Sequence, residues 1–166
     1  MTDTKTDEHW IRAARDYAVA EKGTDPADTP IAAIVVLDGR EVARGVNRTA
    51  ECCDATAHAE VVALRAAGSA HGDMRIAGAT LYSTLQPCGM CTFASIWAGV
   101  SRIVYGADRD DVHEMYFEDR HLSTLDLVAD AYKDDLVLEG GVLSAECAKL
   151  YYRPGDDVPE EQQAND

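Results

Sequence analysis

Apolar positions recur along this chain with periods that change from segment to segment. Over residues 7–22 they return every three or four positions. Trp10, Ala13, Ala14, Tyr17 and Ala20 then share a face, and Gly23 follows, so a helix is predicted. Residues 24–30 are rich in Asp, Thr and Pro and read as a loop. Residues 31–37 are almost wholly apolar and β-branched, the pattern of a buried strand. Asp38-Gly39 is a two-residue hairpin signal, and residues 40–47 should pair back with Val42 and Val46 on one face. A helix is predicted over 57–67, closed by Gly68. A strand follows at 79–85, a helix at 88–98 closed by Gly99, and a strand at 101–106. Strand, helix, strand over this span predicts a right-handed crossover between parallel strands. Residues 108–133 read as helix and loop without firm boundaries. A short strand at 136–138 precedes Gly140-Gly141. A last helix over 144–152 should turn Leu143, Cys147, Leu150 and Tyr151 inward.

This order predicts an α/β fold, a mixed sheet with helices on both faces. The 166 residues suit one domain with one core. It is expected over residues 1–153, with residues 1–6 flexible. Residues 154–166 are acidic and short of apolar surface, so they are expected to remain a disordered tail.

Charge narrows the classes of partner. Fifteen basic residues stand against 30 acidic ones, a net charge of −15. Binding to phosphates needs clustered Lys and Arg, so no nucleic-acid partner is expected. No apolar run approaches the roughly 20 residues that span a bilayer, and no membrane partner is expected. The polar, partly acidic opening residues lack the pattern of a secretory signal, which makes the cytoplasm the expected location. The five cysteines do not suggest a disulfide framework. Cys147 reads as a core residue. Cys52 and Cys53 read as small loop residues near the site, with a redox role as the other reading.

Two short motifs carry the chemistry. His58-Ala59-Glu60 is followed by Pro87-Cys88-Gly89-Met90-Cys91, with Cys88 placed 28 residues after Glu60. His58, Cys88 and Cys91 make three zinc ligands, and three protein ligands leave the open fourth position of a catalytic site. Cys88 and Cys91 are three apart at a helix start, which puts both sulfurs on one face. Pro87 fits there because its missing N–H costs nothing, and the positive helix end favours thiolate. Thr56 is a candidate cap for the His58 helix. Glu60, two residues past the histidine, is placed as a proton shuttle for a water made acidic by the metal. This combination of histidine, glutamate, proline and paired cysteines is the signature of zinc deaminases.

The chain resembles the cytidine deaminase superfamily. The carrying residues are Asn47, Thr56-Ala57-His58-Ala59-Glu60-Val61, Leu81-Tyr82-Ser83-Thr84-Leu85-Gln86-Pro87-Cys88-Gly89-Met90-Cys91 and Ile103-Val104-Tyr105-Gly106. Within it the chain is similar to the branch of guanine deaminases, fungal cytosine deaminases and tRNA adenosine deaminases. The resemblance implies a three-layer α/β/α sandwich with a five-stranded mixed sheet, Zn2+ as cofactor and a homodimer. It implies substrate contacts from Asn47, Ala59 and Trp97, and a second proton-transfer acid at Asp119 in Tyr116-Phe117-Glu118-Asp119. The plain alternatives are a turn asparagine at 47, a core tryptophan at 97 and an exposed acid at 119. Asp108 and Asp110 are lesser candidates for the rim. Ala55, Gln86 and Tyr116 stand where the branch has proline, glutamate and glycine. Residues 138–147 look more like the ending of the tRNA deaminases.

The leading expectation is deamination of a small nucleobase, guanine to xanthine plus ammonia, carried by the Trp97 and Asp119 spacing and the acidic charge. Guanosine or cytosine as substrate comes next, then adenosine in tRNA. A zinc-binding domain without turnover comes last.

Overall fold

The computed structural model describes residues 4–117, 124–130 and 136–159. Its elements are α1 (Thr4–Lys22), β1 (Ala32–Leu37), β2 (Arg40–Val46), α2 (Thr49–Cys52), α3 (Ala59–His71), β3 (Thr80–Leu85), α4 (Gly89–Trp97), β4 (Arg102–Ala107), α5 (Thr124–Ala129), β5 (Val137–Glu139) and α6 (Ser144–Cys147). The strands form one sheet in the order β2-β1-β3-β4-β5. β1 pairs antiparallel with β2 and with β3, whereas β3–β4 and β4–β5 are parallel. The crossover through α4 thus joins parallel strands, as its element order predicts. Asp38 and Gly39 both have positive φ, 51° and 71°, the backbone of a tight hairpin turn.

Alternation along β1 divides the core between two faces. Ala32, Ile34 and Val36 pack with Ile11, Ala14 and Ala18 of α1 and with Cys147, Leu150 and Tyr151 near the C-terminus. Ala33 and Val35 pack on the other side with Ala59, Ala63, Leu64 and Ala67 of α3. This is the three-layer α/β/α arrangement with a five-stranded mixed sheet. Among the described residues no helix is long and apolar enough to cross a membrane.

Four local expectations change. The buried stripe of α1 is Asp7, Ile11, Ala14 and Ala18, whereas Ala20 is exposed. The stripe includes a charged residue because Arg102 Nη1 and Nη2 each donate to the Asp7 carboxylate at 2.7 Å. Helix α3 runs through Gly68 and stops at Gly72, whose φ is 75° and whose N–H bonds to the Gly68 carbonyl. Gly68 is not the stop because its N–H and carbonyl serve the helix, while Gly72 adopts the left-handed cap. The C-terminal helix is one α-turn, α6, followed by a 3-10 turn over Ala148–Leu150. Its inward residues Cys147, Leu150 and Tyr151 are nevertheless buried. Helix α2 was not foreseen: four residues are too short to show a period.

Candidate active site

The C-terminal ends of β2 and β3 lie at one edge of the sheet, because Val46 faces Ala32 and Ser83 faces Ala33 across β1. Helices α3 and α4 both begin there. His58 is the N-cap of α3 and Cys88 the N-cap of α4, each with extended backbone and neither with its side chain in a capping bond. Their carbonyls accept the first helical bonds, from Val62 N and Thr92 N, both at 2.9 Å. Their side chains are thereby left to face each other. Thr56 is not the cap; its hydroxyl bonds Asp54 Oδ1 at 2.7 Å within the preceding turn.

His58 Nδ1 lies 3.7 Å from Cys88 Sγ and 3.6 Å from Cys91 Sγ, and all three ligand atoms are within 4.8 Å of one another. Usual zinc–sulfur and zinc–nitrogen lengths put the edge between such ligands in a tetrahedron at about 3.5 Å. The donor set and its spacing therefore fit a zinc ion held by His58, Cys88 and Cys91.

The electrostatics point the same way. The Cys88 thiol is drawn down to about 4, first by the hydrogen bond with Cys91 and also by His58. Cys91 is pushed up by that same bond, by burial and by Glu60, so the pair favours one thiolate over two. Burial, followed by the Cys88 charge, raises the Glu60 carboxyl. Two thiols and a carboxyl this close cannot all ionise together unless a cation joins them.

Glu60 is the second residue of α3 and is only 4% exposed. Its Oε2 is 3.4 Å from Cys91 Sγ, and its Oε1 accepts a hydrogen bond of 3.2 Å from Ser83 Oγ. The structure thus brings His58, Glu60, Cys88 and Cys91 together. Ser83 was missed, although a lone hydroxyl two residues after Leu81 in an apolar strand was a visible signal.

Asn47 follows β2 and is half-buried. Its N–H bonds the Ile31 carbonyl at 3.0 Å, and its Nδ2 lies 3.4 Å from Thr49 Oγ1. The next residue, Arg48, donates its N–H to the Ala57 carbonyl at 2.9 Å, which holds Asn47 close to the start of α3. Ala59 is fully buried in the apolar layer beneath the site. Trp97 is not in the core, being 71% exposed. It also ends the helix that Cys88 caps, about 13 Å away at 1.5 Å per residue. Asp119 lies outside the described residues. Asp108 caps the turn after β4 in a reciprocal pair with Asp111, and Asp110 belongs to that turn. Cys52 and Cys53 are exposed free thiols.

This combination of fold and ligands defines a zinc-dependent deaminase of the cytidine deaminase-like class. A family model described as the cytidine and deoxycytidylate deaminase zinc-binding region matches residues 4–107, and the chain belongs to that family. Over 80 residues it is 51% identical to the tRNA-specific adenosine deaminase of Agrobacterium fabrum, a match spanning 48% of this chain and 53%, about half, of that protein. Over 144 residues it is 34% identical to the tRNA-specific adenosine deaminase of Buchnera aphidicola subsp. Schizaphis graminum, spanning 87% of this chain and 90% of that one. A solved structure from a study of A-to-I editing by tRNA:A34 deaminases superposes with a TM-score of 0.69 at 34% identity, covering 86% of this chain and 98% of that one. The guanine deaminase of Nitrosomonas europaea superposes with a TM-score of 0.70 at 24% identity, covering 90% and 82%, which shows the fold alone.

These matches correct two expectations: guanine as the substrate, and the absence of a nucleic-acid partner. The guanine reading leaned on Trp97, on Asp119 and on net charge. Net charge sums over the whole chain and says little about one surface. Asp156, Asp157, Glu160, Glu161 and Asp166 add to the −15 from the C-terminal segment. Meanwhile Arg48 and Arg65 stand on or bond to the segment leading into His58: Arg65 Nη2 donates to Thr56 Oγ1 at 2.9 Å. Arg109 N bonds Gln86 Oε1, next to Pro87-Cys88, at 3.2 Å.

Proposed function

We propose that this protein deaminates adenosine to inosine at the wobble position, residue 34, of a transfer RNA. The observation that carries this reading is the 34% identity to a tRNA-specific adenosine deaminase across 87% of this chain and 90% of the relative. The four-residue centre supplies the chemistry such a reaction needs. His58, Cys88 and Cys91 would hold zinc, which supplies Lewis acidity that makes water a nucleophile near neutral pH. Glu60 takes a proton from the attacking water, passes a proton to N1 of the purine and protonates the departing amine. Water adds its oxygen at C6, the C6–N bond breaks, and ammonia leaves. Asn47, with a donor and an acceptor in one amide, suits the edge of the base. Arg48, Arg65 and Arg109 put positive charge on the segments flanking the centre, where an anticodon loop would bring its phosphates.

The test is incubation of the zinc-loaded protein with a transcript bearing adenosine 34, with inosine measured by mass spectrometry of nucleosides. Inosine should form with the natural protein and fall at least about 100-fold with Glu60→Ala. A transcript left unmodified by a zinc-replete protein would overturn the substrate assignment.

A further inference from the structure

We infer that Ser83 is a positioning residue that holds the Glu60 carboxylate in its working orientation, an inference that rests on the deaminase reading above. β3 alternates, so Leu81 and Ser83 point to one face and Tyr82 and Thr84 to the other. Leu81 meets the apolar layer of α3 with Ala59 and Ala63. Ser83 has the same orientation and is completely buried, where a hydroxyl is costly without a partner. That partner is Glu60 Oε1, at 3.2 Å.

The bond matters because a carboxylate is loose about its last torsion, whose wells are broad and two-fold. Among the described residues, two side chains touch the Glu60 oxygens: Ser83 at Oε1 and the Cys91 thiol at Oε2. The Ser83 hydroxyl reaches Glu60 from the strand and sets the carboxylate plane. Oε1 is tied to β3 and Oε2 is the oxygen left toward the ligand cluster. The bond joins two elements, strand and helix, so the orientation of the shuttle is coupled to the sheet rather than to α3 alone.

The test compares Ser83→Ala, which removes the hydroxyl, with Ser83→Thr, which keeps it. For Ser83→Ala, kcat on an anticodon stem–loop should drop about 10- to 100-fold, the scale of one hydrogen bond to a charged group. KM should stay within about twofold, and zinc should remain at the natural stoichiometry. Ser83→Thr should recover most of kcat. Crystals of zinc-loaded Ser83→Ala should show the Glu60 carboxylate rotated or split between orientations. An unchanged kcat with an unchanged Glu60 would overturn the inference. So would a loss that follows zinc content, because Ser83 would then serve only the metal site. Should the natural protein leave adenosine 34 untouched, the substrate reading fails, while the orientation of Glu60 in those crystals still decides the role of Ser83.

Discussion

Gly45 sets how closely β2 approaches α3, and adding one methyl group there should disturb the catalytic helix. A Cβ at this position would lie 2.6 Å from the Ala59 carbonyl oxygen, 2.7 Å from Ala63 N and 2.9 Å from Val62 Cβ. Two of these are helix backbone atoms, which cannot rotate away. Ordinary contact begins near 3.4 Å, so α3 must shift outward by roughly 0.8 Å or β2 must bend by as much. The backbone φ of Gly45 is not positive, so the cost is crowding and not backbone conformation. Overpacking of this kind costs about 1–3 kcal/mol, which for a chain of this size lowers Tm by about 3–10 °C. The functional effect should be larger than the thermal one. The shifted turn carries Glu60 and adjoins His58, and a misplacement near 1 Å can cost about 100-fold in rate. Gly45→Ala should therefore retain a cooperative unfolding transition while inosine formation falls by one to two orders of magnitude. Thermal melts and single-turnover assays on the same preparation measure both. A variant with natural Tm and natural rate would show that β2 and α3 are not packed as described.

Three further outcomes follow from other contacts. Tyr151 donates its hydroxyl to Thr84 Oγ1 at 2.6 Å, and that oxygen also accepts from Ala32 N; Tyr151→Phe should cost about 1 kcal/mol in chemical denaturation without changing kcat. Asp7 is held below its ordinary carboxyl value chiefly by the Arg102 hydrogen bonds and further by Tyr82. The stability it contributes is thus present above the unfolded value near 3.8 and is lost as pH falls through the lowered folded value. Asp7→Asn should be destabilised by about 3 kcal/mol at pH 7, and its melting curve should converge on that of the natural protein as pH falls through that lowered folded value. Removing zinc with a chelator should abolish turnover and lower stability, by about 2.7 kcal/mol where free zinc had stood at about 100 times its dissociation constant. Cys91→Ser should show the same loss in metal analysis without a chelator.

The parts of the fold that were legible are those where one physical signal dominates. β1 reads as a strand because five consecutive residues are buried on both faces and leave no room for polar positions. The hairpin reads because only a few residue types tolerate two successive positive φ values. The ligands read because zinc chemistry admits few residue types at few spacings. Legibility failed where two signals competed. Asp7 was left out of the inward face of α1, yet it is buried against an arginine 95 positions away. Gly68 looked like a helix end, yet the helix continues through it to a better-placed glycine four residues on. Trp97 had core as its plain alternative because aromatic residues at helical spacing usually are core, whereas α4 leaves it exposed along with Met90 and Phe93, which are 36% and 44% exposed.

Substrate class lay beyond those signals for a different reason. The reacting centre needs only His58, Glu60, Cys88 and Cys91, and those residues serve any amino-substituted ring that can be brought to them. What is brought to them depends on the rim, where affinity for a polyanion comes from a few local cations and not from the sum over the chain. Arg48, Arg65 and Arg109 are far apart in sequence, and each has acidic neighbours in sequence or in space, such as Glu21 with Arg48 and Asp54 with Arg65. Counting charges therefore registers only the surrounding acid. The sheet topology gathers the segments carrying all three at the edge where α3 and α4 begin. If this grouping rather than the total charge governs the partner, Arg48→Glu, Arg65→Glu and Arg109→Glu should each weaken tRNA binding and flatten its salt dependence. Arg40→Glu, at the opposite end of β2, changes net charge by the same amount and should leave both unchanged. Equal effects at all four positions in filter-binding titrations would show that total charge, and not the rim, sets the partner.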